Sequence, residues 1–363
     1  MVDIKFLNAA DAVRENLSGY GWRMLSPEEW SMRRPPRFLL GPVPETFADF
    51  FFGDSCAPSC GIYTIRDVHL SGDRLLQKDG VSITIPLNGI HENSIREVIE
   101  RVSPVQERVI EESVVLLCGP AFNMYGHWLV DFMPRLGLLA AAGMAINRQK
   151  YLLPEQLPAF ARTWLELLGI PAENILTYDI ERDRCFLKEA IIPSNLRGHM
   201  RTNALARDIY TMFTRCVVGN RTPTRRDVLY VSRSNWGNAS RSMTNGVEIE
   251  ERMKAAGCRV VYPETLSIPE QVELFYDARA LIGEYGSGLH ASVFAPSKTP
   301  VIAFHAAEIH PSFLQSGLCE ACGQDCAYIF GALTGEQPHA FHVAPENLDR
   351  LERFLPSLLQ ENS

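Results

Sequence analysis

The chain has 363 residues, 46% hydrophobic and 21% charged, which is ordinary folded-domain composition spread over more length than one core usually holds. Its 35 Lys and Arg against 43 Asp and Glu leave a net charge of −8, which argues against nucleic acid as the main partner, because phosphate backbones demand a broad basic surface. No stretch approaches the roughly 18 consecutive apolar residues of a membrane helix, and MVDIKFLNAADAVRENLSGYGW holds no signal-peptide core. The expectation is cytoplasmic residence without a membrane span, with peripheral attachment to a membrane assembly left open and the oligomeric state undetermined.

Residues 1–110 read as an irregular, β-rich segment belonging to the first domain. They contain GIYTIRDVHL and VSITIPL, broken by Gly, Pro and Asp, and the Pro-rich RRPPRFLLGPVP. From residue 111 to 220 the rhythm becomes that of an α/β domain. Val114–Cys118 is an apolar run stopped by Gly119-Pro120, a helical pattern follows over Gly126–Ala142, and Tyr151–Leu153 reads as a strand. Pro158–Leu168 is a helix ended by Gly169, and Ile175–Leu176 and Glu189–Ile192 are further strands. Short apolar runs alternating with helices predict a parallel sheet.

A polar, turn-rich stretch at 217–226 predicts the boundary of a second α/β domain over 221–344. Its strands are Asp227–Ser232, Arg259–Tyr262, Ala280–Gly283 and Pro300–Phe304, with Tyr328–Phe330 and Phe341–Val343 as additions. Between them lie helices over Asn245–Ala256, Ser267–Tyr276, Gly286–Phe294 and Pro311–Cys322. The second opens with a capping box, Ser267 and Glu270. Residues 345–363 close the chain as a helix that starts on Pro345 and is expected near the domain junction. The alternation is that of a doubly wound fold.

Four groups of residues carry possible chemistry. LIGEYGSGLHASVF (281–294) runs from an apolar strand through Gly283, Gly286, Ser287 and Gly288 into a helix, so backbone N–H groups could meet an anion; a plain strand-to-helix turn reads the same way. LYVSRSNWGNASRSMTN (229–245) places Arg233 and Arg241 after the strand at 227, where guanidinium forks suit a diphosphate; solvated loop arginines are the plainer alternative. In FNMYGHWLVDFMPRLGLL (122–139), His127 and Asp131 stand four apart on one helix face, a pairing suited to general base catalysis. The competing reading pairs Asp131 with Arg135 and packs His127 in the core. LCEACGQDC places Cys319, Cys322 and Cys326 at a spacing that metal sites use, with His305 and His310 nearby. The same i, i+3, i+7 spacing makes one helix face, and no metal is expected.

Three blocks taken together, GHWLVDFMPRLGLL, LYVSRS…SRSMTN and VVYPETLSIPEQVELFYDARALIGEYGSGLHASVFAP, resemble the family 61 glycosyltransferases, the group that includes capsular-polysaccharide biosynthesis proteins. The resemblance runs from about Val114 to Phe330. It implies a GT-B architecture, two Rossmann-like domains facing across a cleft, and inverting transfer from a nucleotide sugar to a glycan acceptor. It implies that Arg233 and Arg241 contact donor phosphate, that Gly286, Ser287, Gly288 and Leu289 cradle it, and that His127 and Asp131 lie on the acceptor side. The donor acts as co-substrate, with a UDP-sugar the expected one, and neither a cofactor nor a metal is required. Asp131 is the first expectation for the base, with His127 orienting or replacing it and Glu284 in reserve.

Two positions depart from the family pattern. Its glycine loop often reads G-P-H-G-A-G-L, whereas here Glu284 and Tyr285 replace Pro and His. Its Asn-Glu helix opening is Asn245-Gly246 here, with Glu248 two residues further on. Transfer of a non-sugar group to polysaccharide, and a non-catalytic sugar-binding subunit, are the alternative functions.

Overall fold

A computed structural model describes residues 4–198, 201–235, 243–308, 313–335 and 339–360. The chain divides into two compact units, Met1–Glu28 with Pro58–Gly198, and Glu29–Ala57 with His199–Ser363.

In the first unit, nine strands form one mixed sheet. They are β1 (Phe6–Asn8), β2 (Tyr20–Ser26), β3 (Cys60–Ser71), β4 (Leu75–Lys78), β5 (Val81–Thr84), β6 (Gln106–Leu116), β7 (Lys150–Pro154), β8 (Ile175–Tyr178) and β9 (Asp183–Pro193). The order is β1-β5-β4-β3-β9-β6-β7-β8, with β2 also paired to β3. Strands β9, β6, β7 and β8 run parallel, as the apolar runs after residue 111 predict. Strands β2 to β5 add antiparallel pairings, and β3 joins β9 in antiparallel register, so the sheet as a whole is not the parallel one expected. Hairpin connections as short as those between β3, β4 and β5 permit only antiparallel neighbours. Helix α1 (Glu92–Arg101) packs Ile95 and Val98 against this sheet's core.

The helical pattern expected over Gly126–Ala142 forms with one irregularity. A short turn, Tyr125–His127, widens into a π-helix over Trp128–Phe132 before α2 (Met133–Ala141) resumes ordinary winding; α3 (Ala159–Leu167) follows β7. Pro134 supplies a physical reason: it has no N–H for the carbonyl of Val130, and its ring would collide with that carbonyl in a regular helix. The Met133 N–H accordingly reaches Trp128, five residues back.

The second unit is built on a parallel sheet. It contains α4 (Ala206–Val218), β10 (Asp227–Val231), α5 (Gly246–Ala255), β11 (Arg259–Val261), α6 (Ile268–Tyr276), β12 (Ala278–Glu284), α7 (Ser287–His290), β13 (Pro300–Ala306), α8 (Leu314–Cys322), β14 (Asp325–Leu333), β15 (Phe341–His342) and α9 (Pro345–Gln360). The order is β11-β10-β12-β13-β14-β15, parallel except for β15. The capping box at Ser267 and Glu270 forms and starts α6. Helix α9 buries Leu348, Leu351 and Leu355 in the same core as β10 and β12.

Two boundary expectations are corrected. Residues 29–57, expected within the first domain, cluster with the second unit: Leu39–Leu40 adds a parallel strand to β14, and Phe47 and Phe51 pack their rings on Phe313. Helix α4, whose residues fall within the first domain expected over 111–220, belongs to the second unit as well.

The three clustered cysteines do not share a helix face. Gly323, at φ 69°, ends α8 after Cys322, and Cys326 lies on β14. Cys319 and Cys326 are nevertheless hydrogen-bonded neighbours, and burial drives the thiols of Cys322 and Cys326 up. All nine cysteines are free thiols. Among the described residues, no three His, Cys, Asp or Glu side chains converge as a metal ion would require, and no helix is long and apolar enough to cross a membrane. His310 lies outside the described residues.

Strands β10 and β12 approach closely where Gly283 faces Val231. A Cβ on Gly283 would stand 2.6 Å from the Val231 carbonyl oxygen and 2.8 Å from its Cβ. Gly283→Ala must push the strands apart, and we predict a loss of about 1–3 kcal/mol of stability, read as a lower urea midpoint with an unchanged m-value.

Candidate active site

In the first unit, the carboxyl ends of the parallel neighbours β6 and β9 open on the same edge of the sheet, the position at which open α/β sheets bind ligands. The helix following β6 carries His127 and Asp131, and the loop following β9 carries Asn195 and Arg197. His127 Nδ1 lies 2.7 Å from Asp131 Oδ2. Arg197 grips the same carboxylate with two nitrogens, Nε to Oδ1 at 2.7 Å and Nη2 to Oδ2 at 2.9 Å. Burial by itself would raise the Asp131 carboxyl, but the His127 hydrogen bond and the Arg197 guanidinium outweigh it and hold the group at about 2. Asp131 is therefore a permanent anion near neutral pH. It can only accept, so His127 Nδ1 carries the hydrogen and donates, which leaves Nε2 as the nitrogen able to take up a proton. The His127 side chain is 39% exposed, against 7% for Asp131.

Arg135 is not the partner of Asp131 that the competing reading supplied. It is buried, donates from Nε to Asn195 Oδ1 at 2.8 Å and from Nη1 to the Cys118 carbonyl at 3.0 Å, and so ties the loop after β9 to the end of β6. Burial lowers it to about 10, against the opposing pull of Asp131. Asn88 steadies the same loop, accepting the Asn195 N–H and donating to the Pro193 carbonyl. Sequence reading missed Arg197 because the residue stands 66 positions from Asp131; the register of β9 beside β6 brings them together.

In the second unit, the loops after β10 and β12 meet. Arg233 Nη1 donates to Glu284 Oε1 at 3.3 Å and to the Tyr285 carbonyl at 3.2 Å. Its guanidinium lies across Gly286, where a Cβ would stand 2.9 Å from Nη1. Gly286 has φ 152°, which also favours glycine. Ser287 is exposed at the start of α7, where N–H groups have no acceptor within the helix. Gly288 faces inward instead: a Cβ there would press on Val231 Cγ1 at 3.3 Å and Pro263 Cγ at 3.4 Å, so its lack of a side chain serves helix–strand packing. The Leu289 side chain is fully buried, leaving only its backbone to meet a ligand. Arg241 lies outside the described residues.

Glu284 is 7% exposed. Burial raises its carboxyl to about 7, against the lowering effects of Arg233 and the Met243 N–H. Sequence reading also missed a brace on the Arg233 loop. The Glu250 carboxylate on α5 accepts from Ser232 Oγ at 2.6 Å and Ser234 Oγ at 2.8 Å, and from the Tyr262 hydroxyl. Burial would raise Glu250, and these three hydroxyls overcome it and lower it. Glu248, the carboxylate singled out from the sequence, is exposed; only helical winding reveals that the residue two further on turns toward the loop. Tyr285, at the departure from the family loop, packs its ring 4.7 Å from His305 and 5.3 Å from His290.

The family model described as Glycosyltransferase 61 matches residues 125–302. Over these residues the chain belongs to glycosyltransferase family 61. The matched stretch begins six residues before Asp131, takes in Arg197, Arg233, Glu250 and Glu284, and ends in β13. No curated protein matches the chain.

The Asp131 carboxylate contributes stability through its depressed ionisation. That contribution is complete above the unfolded value near 3.8 and is lost as pH falls through about 2. Asp131→Asn should therefore cost about 2–3 kcal/mol at pH 7. The gap to wild type should shrink steadily below about pH 4 in urea titrations; a gap independent of pH would mean that the ion pair does not form.

Proposed function

We propose that this family 61 protein is an inverting glycosyltransferase of GT-B architecture. On this reading the second unit binds a nucleotide-sugar donor and the first supplies the base that activates a glycan hydroxyl. The observation that carries the reading is the guanidinium of Arg233 lying over Gly286, where two parallel strands end together. A diphosphate there would receive charged N–H donors from one side and backbone N–H groups of Gly286, Ser287, Gly288 and Leu289 from the other. Those groups would stabilise the charge that develops as the diphosphate departs, without requiring a metal ion. Arg241 would add a second guanidinium, as the resemblance implies. A UDP-sugar as donor, a role in capsular or cell-surface polysaccharide synthesis and a cytoplasmic location belong to the same proposal.

The geometry favours His127 over Asp131 as the base. A carboxylate held at about 2 by Arg197 and His127 has little affinity for a proton at neutral pH. Its role is to fix the imidazole so that Nε2 takes the acceptor's hydroxyl proton, as a carboxylate orients histidine in hydrolytic triads. Glu284 is poorly placed for that task. In an inverting displacement the nucleophile and the leaving group occupy opposite faces of the sugar, and Glu284 shares its arginine with the proposed leaving-group site.

A thermal-shift screen with UDP, GDP, CMP and TDP tests the donor site, since ligand at 100 times its Kd adds about 2.7 kcal/mol of stability. Arg233→Lys keeps the charge but loses the fork, and we expect about tenfold weaker binding of the best nucleotide. Unchanged affinity in both Arg233→Lys and Gly286→Ala would exclude this edge as the donor site.

For the base, His127→Gln should lower turnover about 10²–10⁴-fold with nucleotide affinity preserved. Asp131→Asn should reduce turnover through misorientation of the imidazole. Near-normal turnover in the His127 variant would refute the assignment.

A further inference from the structure

We propose that Glu284 works as a neutral acid, donating a hydrogen bond to the departing diphosphate, and that nucleoside diphosphate binding makes it take up a proton. This rests on the donor-site reading above and extends it to a residue expected from the sequence only as a reserve base.

Glu284 ends β12 and is nearly buried, and its Oε1 stands 3.3 Å from the Arg233 nitrogen that overhangs Gly286. The carboxylate thus lies beside the position that a diphosphate on this arginine would take. The titratable and charged groups around it are Arg233 on the loop after β10, Tyr230 on β10, and Glu250 on α5 beyond Tyr230. Tyr285 follows Glu284 just past the end of β12, and His305 follows Phe304, the register partner of Glu284 on β13. The Met243 N–H hydrogen-bonds to the carboxylate. Among these described groups, Arg233 supplies the positive charge. A diphosphate would compete for that charge and bring more negative charge within a few ångströms of a carboxylate that water barely reaches. Like charges this close in a poorly solvated site do not both stay ionised.

The free protein is already poised for the change, because burial holds Glu284 near 7, with Arg233 and the Met243 N–H pulling it down. Drawing Arg233 toward a diphosphate weakens that pull and drives the carboxyl further up. The proton comes from solvent when the nucleotide binds and returns to solvent when it leaves. During transfer, the bond between the anomeric carbon and the diphosphate oxygen breaks and its electron pair passes to that oxygen. The neutral carboxyl donates a hydrogen bond to the diphosphate while keeping its own proton, and the acceptor's hydroxyl proton goes to His127. A carboxylate at this position would instead repel the leaving group.

Calorimetric titration with UDP and with GDP, each at pH 8 in HEPES and in Tris, counts protons from the difference in buffer ionisation heat. The wild type should take up close to one proton more per nucleotide than Glu284→Gln, which has the same shape, is neutral and keeps an N–H donor. Subtracting the variant removes the nucleotide's own titration. Wild-type affinity should also fall about tenfold between pH 7 and pH 8.5, because binding favours the protonated form, while the variant's affinity stays level. Equal proton counts and equal slopes in the two proteins, with Arg233→Lys still weakening binding, would overturn the role of Glu284 and leave the donor site standing. If Arg233→Lys leaves UDP and GDP affinity unchanged, or neither nucleotide binds, the donor-site reading falls and this inference falls with it.

Discussion

The backbone of Gly283 lies against the carbonyl of Val231 with no room for a side chain between them, and the second unit's site depends on that contact. It lets β10 and β12 run as parallel neighbours up to their last residues, so the two loops that follow leave the sheet side by side. Arg233 then needs only the length of its own side chain to reach Glu284 and cover Gly286. Gly288 extends the same economy of space on the other side, letting α7 settle against Val231 and Pro263. Glu250 completes the arrangement by holding the hydroxyls on either side of Arg233. The arginine is therefore aimed by packing and by hydrogen bonds, with only 26% of its side chain exposed.

The first unit solves a similar problem with a helix. Pro134 prevents regular winding, and the π-turn over Trp128–Phe132 holds Asp131 within a nearly buried surround while His127, one turn earlier, stays half-exposed. An ionised, buried carboxylate requires compensation, and Arg197 supplies it with a two-pronged grip. Arg135 and Asn195 in turn fix the loop that carries Arg197. The two carboxylates that the sequence offers as bases thus sit in opposite environments. Asp131 is held ionised by two hydrogen-bonding partners, whereas Glu284 is drawn toward neutrality by burial. Such divergence separates acid from base roles in enzyme sites.

Much of this was legible in the sequence for identifiable reasons. The apolar runs at Val228–Val231, Leu281–Gly283 and Val301–Phe304 are bounded by glycine, proline or polar residues, and buried parallel strands read as such runs. Ser267 and Glu270 announced a helix start through local chemistry alone. The pairing of His127 with Asp131 needs only helical spacing, and both residues meet at 2.7 Å. The convergence of Arg233 with the glycine loop follows from strand direction in a parallel sheet.

What the sequence by itself determined is therefore local: element type, helix caps, the i, i+4 histidine–aspartate pair, and the strand-end positions of Arg233 and Gly286. Tertiary structure alone decided the rest, because the deciding partners are distant in the chain. Arg197 reaches Asp131 across 66 positions through the pairing of β9 with β6 and helps to hold it as an anion. Residues 29–57 leave the N-terminal segment to join the second unit, since Leu39–Leu40 finds its ladder on β14. Cys326 lies on a strand and not on a helix because the left-handed turn at Gly323 ends α8 first. The burial that raises Glu284 is the sum of neighbours from β10, β13 and the chain around Met243. No pattern along one strand encodes that sum, because ionisation responds to everything that displaces water from the group.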